Sequence, residues 1–203
     1  MASRFRHERI APLLEKLAPV VMLSQIYRFQ TTLEVMAQRL GRKCQAATLM
    51  KQYRARVVAL RARLAAHFGA RWPATVSLID IRADQVRSYL PGSFAGQVLT
   101  DLGFRWNDAA RKAGGIMLKL GGVESLSALE ADVFFVMRHS RSPAVADYAH
   151  RLMTHPLWQR MQAPRTGQVI EVDAVAWSLS GGILGVFNQL DEIDAWLKRE
   201  GTP

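Results

Sequence analysis

A chain of 203 residues, 49% of them hydrophobic, holds enough apolar material for one sizeable core, with room for an appendage. Its lone cysteine, Cys44, excludes an internal disulfide and argues against a thiolate metal cage, and no apolar run approaches the roughly 18 residues of a membrane span. The formal charge of +10 invites a nucleic-acid reading, but the excess is local: residues 1–71 carry 14 Lys and Arg against 3 Asp and Glu, while the remaining 132 carry 13 against 14.

The chain opens on "MASRFRHERIAPLLEKL", which has charges but neither an apolar h-region nor a small-residue cleavage site, so it does not read as a secretory signal. Residues 8–17 look like a short helix, and "APVVML" (18–23) like a brief extended run. From about Thr31 to His67 the pattern is helical, with Leu33, Met36, Ala37 and Leu40 on one face and Gly41 as an interruption. Ala47, Met50, Tyr53, Val57, Leu60 and Leu64 then recur at spacings of three or four, with Arg54, Arg56, Arg61 and Arg63 between them. This predicts a long amphipathic helix whose charge is explained by a solvated face.

"FGARWPA" (68–74) is the best boundary, with Gly and Pro four residues apart. Beyond it strands alternate with helices. "TVSLIDI" (75–81) and "QVRSYL" (85–90) read as extended. Ser93 can cap a helix that runs to about Leu102 and is ended by Gly103. "VESLSALE" (123–130) reads as a short helix, and "ADVFFVM" (131–137) is a near-continuous apolar run of the kind buried on both faces. A helix from Pro143 to Met153, a turn at "HPLWQRM", a strand at "GQVIEVD" (167–173) and a last helix from near Ser180 to Lys198 follow. That last helix carries Leu184, Phe187, Leu190, Ile193, Trp196 and Leu197. The alternation predicts an α/β, three-layer, Rossmann-like lobe with a mostly parallel sheet, preceded by the long helix.

Chemistry-bearing motifs are sparse. "PGSFAG" follows an extended piece and opens a helix, where an anion can sit, but it lacks the G-x-G-x-x-G order and the Lys of a phosphate loop. Ser93 lacks the first glycine of a nucleophile elbow. The histidines at 7, 67, 139, 150 and 155 show no H-x-x-x-H or H-E-x-x-H spacing, so no metal site is expected. Arg138, His139 and Arg141 follow the buried strand, at the strand end where open α/β sheets present ligand contacts, and read either as a polar loop or as donors to an anion. Trp177 reads equally as a core cap or as a stacking surface.

Five pieces in order resemble one family, the substrate-binding proteins of ABC importers for iron–siderophores, haem and cobalamin. These are "LEKLAPVV", "LEVMAQRLGRKCQAATLMKQYRARVVALRARL", "VSLIDIRADQVRSYLPGSFAGQVLTDLGF", "VESLSALEADVFFV" and "HPLWQRMQAPRTGQVIEVDAVAWSLSGGILG". The family is two-lobed, with one long helix joining the lobes. The resemblance implies three parts: a remnant of the first lobe with a helical lead-in (1–30), an inter-lobe-type helix (31–70) and an α/β ligand-binding lobe (71–203). Most of the first lobe and any leader are absent from the sequence, which implies a truncated or repurposed relative.

By the same resemblance, Pro91, Gly92, Ser93 and Phe94 line a cleft, with Leu118, Arg138, His139 and Trp177 facing the ligand. Leu118 stands where relatives often carry an aromatic. Cations and aromatics suit an anionic, aryl-rich ferric chelate, and the expected position of all these groups is one rim of the sheet. Glu124 is implied to dock on the permease. The implied function is non-catalytic capture of a ferric siderophore, with no cofactor, outside the cytoplasmic membrane. A half-cleft further implies exposed apolar surface around "VVMLSQIYRF" and a tendency to form homo-oligomers. The competing expectation is a basic protein that binds nucleic acid through its Arg-rich helix, and a hydrolase using Ser93 is a distant third.

Overall fold

The structure is a computed structural model and describes residues 2–23 and 27–200. The N-terminal segment holds strand β1 (Ala2–Ser3), the single turn α1 (Arg4–His7), a 3₁₀ turn, α2 (Ala11–Glu15) and β2 (Met22–Leu23). β1 and β2 pair in parallel as a two-stranded sheet. Helices α3 (Phe29–Arg39) and α4 (Lys43–Phe68) follow, broken at Gly41, whose φ of 66° only glycine adopts at little cost. At 26 residues α4 is about 39 Å long, and it buries Tyr53, Val57, Leu60, Leu64 and Phe68, most of the stripe read from the spacing.

The main body is built on β3 (Thr75–Ile81), β4 (Val86–Tyr89), α5 (Phe94–Asp101), β5 (Arg105–Trp106), α6 (Asp108–Lys112), β6 (Met117–Leu120), a 3₁₀ segment (Val123–Leu129) and β7 (Val133–Arg138). It continues through α7 (Pro143–Thr154), α8 (Pro156–Arg160), α9 (Gln162–Arg165), β8 (Val169–Val172), a π-helical turn (Val175–Leu179) and α10 (Ile183–Glu200). The sheet runs β6-β4-β3-β7-β8, with β5 also pairing β3. It is mixed: β3 pairs in parallel with β5 and β7, and β7 with β8, whereas β4 is antiparallel to both β3 and β6. The parallel half comes from the crossovers and the antiparallel half from the tight return after Ile81. There the loop is closed by the Arg82 amide donating to the Gln85 carbonyl at 3.0 Å.

Each face of the sheet is covered. Val76, Leu78, Val133, Phe135, Ile170 and Val172 meet α4, α5 and α10, while Ile79, Ile81, Val86, Phe134 and Val136 meet α7, α8 and the 3₁₀ segment. Strand β7 is therefore buried on both sides from Val133 to Met137, as its continuous apolar run predicts. α10 packs through Val186, Leu190, Ile193, Trp196 and Leu197. Leu184, counted in that stripe from spacing alone, is 74% exposed because it lies on the outward face with Asn188 and Asp191, while Ile183 and Val186 on either side turn to the core. α4 is fastened to α5 by the Tyr53 hydroxyl, which donates to Asp101 at 2.6 Å. Burial first, then the Asp101 carboxylate, push the phenol's pKa far above its ordinary value.

Two arginines of α4 are paired within the fold. Arg56 pairs with Asp191 and Arg63 with Asp194, both on α10. Arg61 lies against Gly103, where a Cβ would meet its Nε at 2.9 Å. Ion pairs thus engage two of the four arginines of the basic stretch, while Arg54 and Arg61 are exposed.

Candidate ligand-binding site

One row of paired residues, Leu120, Val86, Ile81 and Arg138, marks a common edge of the sheet at the carboxyl ends of β3, β6 and β7. Three predicted positions gather along it. Arg138 and His139 leave β7 there. Glu124 lies four residues past Leu120, exposed in the first turn of the 3₁₀ segment. The segment after β8 crosses the same edge as a π-helical turn, a wide turn that is rare and often found at functional sites.

That turn separates two cavities. On one side Arg138, His139, Ser140 and Arg141 face Glu171 and Asp173–Val175 around about 610 Å³. On the other, Phe94 and Ser178–Gly182 meet Ala2, Ser3, His7, Leu23, Tyr27, Thr32 and Met36 around about 410 Å³. The second space is a crevice between the main body and the N-terminal segment, and it is ringed by hydroxyls, an imidazole and apolar side chains.

Electrostatics differ between the two. Arg138 holds Glu171 through two contacts, Nε to Oε1 at 3.0 Å and a terminal nitrogen to Oε2 at 3.2 Å, so part of its charge is already neutralised. Asp80, 1% exposed on β3, accepts from Arg82 Nε at 3.1 Å, and its other oxygen lies 3.8 Å from Nδ1 of His139 at the strand end. Among the described residues, no carboxylate, lysine or arginine side chain lines the crevice beside Phe94.

The structure gives the remaining predicted residues different surroundings. Ser93 is buried, and its Oγ accepts the Gly96 amide at 3.1 Å, so it caps α5 and lines neither cavity. The turn around it is tight because backbone packs on backbone, since a Cβ on Gly96 would sit 2.2 Å from the Leu90 carbonyl, while Gly92 lines a separate space of about 580 Å³ with Tyr27 and Gln97. Trp177 does not face a cavity. It is 2% exposed and stacked on Phe135, because the π-turn points its indole inward and leaves Ser178–Gly182 facing the crevice. Leu118 sits on β6 opposite Ser88 and packs against the core on the α4 face. The predicted groups therefore do not converge on one rim: Phe94 lines one cavity, Arg138 and His139 line its neighbour, and Trp177 braces the wall between them.

Sequence reasoning passed over His7, Tyr27 and Ser178–Gly182 as site residues. The small-residue run "SLSGG" after a strand was the available signal for the last. Nothing in the spacing of the N-terminal residues marks the other two.

A three-layer α/β body with a long helix along one face, and crevices at the strand ends where a second unit abuts, defines a solute-binding architecture. The chain belongs to the periplasmic binding protein family, which it matches over residues 1–176. It is 52% identical over 193 residues to the achromobactin-binding periplasmic protein of Dickeya dadantii, covering 95% of this chain and 63% of that relative's length. Staphylococcus aureus SirA superposes with a TM-score of 0.90 at 29% identity, covering 97% of this chain and 74% of SirA. SirA complexed with staphyloferrin B superposes with a TM-score of 0.89 at 28% identity, covering 97% and 70%. The chain thus spans under two thirds of the length of that curated relative. The family consists of binding proteins, not enzymes.

Proposed function

We propose that this chain captures a ferric siderophore-type chelate outside the cytoplasmic membrane and presents it to an ABC permease. The observation that carries the reading is the crevice beside Phe94, where the main body, α3 and the N-terminal segment all supply wall. A ligand held there touches both the core lobe and its neighbour, which is the contact a two-part binding protein uses to sense its load. The 52% identity to an achromobactin-binding periplasmic protein supports the ligand class, and SirA's complex with staphyloferrin B supports the place of this fold in siderophore capture.

Iron is cargo in this reading, wrapped by its chelator, and the protein needs no cofactor to hold it. Phe94 supplies an apolar wall, and Arg138, His139 and Arg141 in the adjoining cavity supply positive charge for an anionic chelate. Glu124, exposed on the same edge of the sheet, is the carboxylate for docking on the permease. Residues 1–30 act as part of a first lobe, 31–70 as the bridge and 71–203 as the ligand lobe.

Residues 19–22 line a mainly apolar groove with Val35, Met36, Leu40 and one cation, Arg39, a surface suited to self-association. Light scattering at rising concentration tests that part, and a constant monomer mass overturns it. Elsewhere in the patch expected to be exposed, Phe29 is instead fully buried in the core and Leu23 and Tyr27 line the crevice, while residues 24–26 lie outside the described residues.

Tryptophan-fluorescence titration with ferric achromobactin and ferric staphyloferrin B tests the main reading, with haem and cobalamin as comparators. Saturable quenching by a ferric siderophore supports it. Flat curves for all four overturn it.

A further inference from the structure

We propose that His7 is a ligand-binding residue, with its Nε2–H donating a hydrogen bond to an oxygen of the bound chelate; the inference rests on the siderophore-binding reading above. The argument starts from the ring's other nitrogen. The backbone N–H of Ser3 lies 3.0 Å from Nδ1 of His7. An amide N–H can only donate, so Nδ1 must present its lone pair, and the one proton of the neutral imidazole is then on Nε2. The tautomer is fixed by the fold of the first seven residues.

Nε2 has no protein partner among the described residues, and the half-buried ring lines the crevice with Tyr27, Thr32 and Phe94. With no protein acceptor on Nε2, its N–H is open to an acceptor that enters the crevice. The acceptor this geometry takes is an oxygen, either a carboxylate or one already bound to iron. An uncharged donor also suits this crevice, since no acidic side chain among the described residues lines it to balance a cation. Division of labour follows: the neighbouring cavity supplies charge, and His7 supplies direction.

Two amide substitutions separate the ring's two jobs. The side-chain oxygen of asparagine falls near Nδ1, and the terminal nitrogen of glutamine falls near Nε2. His7→Asn therefore keeps the acceptor for the Ser3 amide and loses the donor, whereas His7→Gln does the reverse. Titrated with ferric achromobactin, H7N loses about tenfold or more in affinity with its melting temperature nearly unchanged. H7Q stays within about threefold of the wild type and melts lower.

Wild-type binding with H7N as tight as the wild type overturns the assignment and leaves the siderophore reading standing. No binding by the wild type overturns both. Should H7N fail to fold, the His7 Nε2 resonance of ¹⁵N-labelled wild type decides, read with the same chelate loaded with diamagnetic Ga(III) in place of iron: a shift on adding it supports the hydrogen bond, and an unmoved resonance overturns it.

Discussion

The rings of Trp177 and Phe135 lie stacked over the centre of the sheet, centroids 5.0 Å apart and planes 29° from parallel. Phe135 is fully buried and Trp177 almost so, which makes the indole a structural brace for the π-turn that forms the site wall. Trp177→Ala is expected to cost about 3–5 kcal/mol by opening a cavity between β7 and the turn. Urea denaturation measures it. An indole that served only as a ligand stacking surface would leave stability unchanged.

Arg138 and Glu171 form an exposed two-contact pair, so their mutual attraction adds little to stability, about 0–1 kcal/mol. Its effect on binding is larger, because Glu171 competes with any anionic ligand for the same guanidinium. Glu171→Gln is expected to tighten binding of an anionic ferric chelate by roughly threefold, and Arg138→Ala to weaken it by roughly tenfold. Isothermal titration at two salt concentrations checks both, and each effect shrinks at the higher one.

The fold was legible wherever the local signal agreed with burial. The uninterrupted run Val133–Met137 could only be a strand covered on both faces, and Ser93 announced its cap before its Oγ was seen accepting Gly96. Strands β1, β5 and β6 were not legible. Two of them have two residues each, too few for periodicity, and β6 follows a Gly-Gly pair that reads as loop. Of the site, the chemistry of Arg138 and His139 at a strand end was readable because strand order alone places them there. The direction of Trp177 was not, since it depends on which way a five-residue π-turn rotates over Phe135. His7 was invisible for a similar reason: its tautomer is set by an amide four residues away and its cavity by residues 23–182.

Arg56 and Arg63 clamp α4 to α10 through Asp191 and Asp194, yet remain partly exposed. Each alanine substitution is expected to cost about 1 kcal/mol or less, with Arg63 the larger because Asp194 is the better buried carboxylate. With Arg56 and Arg63 held by carboxylates, duplex DNA at about 50 mM salt should show no saturable binding. Steeply salt-dependent binding would return the basic helix to the list of functional surfaces.

Glu192 is half-buried, and its Oε2 accepts the Asp173 amide at 2.9 Å. Burial raises its pKa above the ordinary glutamate value, the Asp173 charge adds to the rise, and the hydrogen bond from the Asp173 amide opposes it. Since the folded-state value lies above the unfolded one, the contribution to stability is complete below the unfolded value. It is lost as pH rises through the folded one. Glu192→Gln keeps an acceptor for Asp173 and removes the charge. The variant should therefore melt about 1–3 °C above the wild type at neutral pH, with the gap closing as pH falls through the carboxylate range.

Gly96 provides the sharpest test of how the Pro-Gly-Ser-Phe-Ala-Gly corner works. A Cβ there would meet the Leu90 carbonyl at 2.2 Å, Ser93 Oγ at 2.7 Å and the Pro91 carbonyl at 3.0 Å. Two of those three are backbone atoms, which cannot turn aside as a side chain can. Relief requires the exit of β4 to move away from the first turn of α5, breaking the Ser93 cap and carrying Phe94 with it. Gly96→Ala is expected to cost about 3 kcal/mol, at the upper end of overpacking penalties, despite the better helix propensity of alanine. Gly121→Ala, where a Cβ meets nothing within 4 Å, should stay within about 0.5 kcal/mol of the wild type. Because Phe94 lines the crevice, the Gly96 variant should also bind ferric achromobactin more weakly under conditions where it remains folded. Weak binding with full stability would mean that the corner meets the ligand directly; lost stability with lost binding means that it holds Phe94 in place.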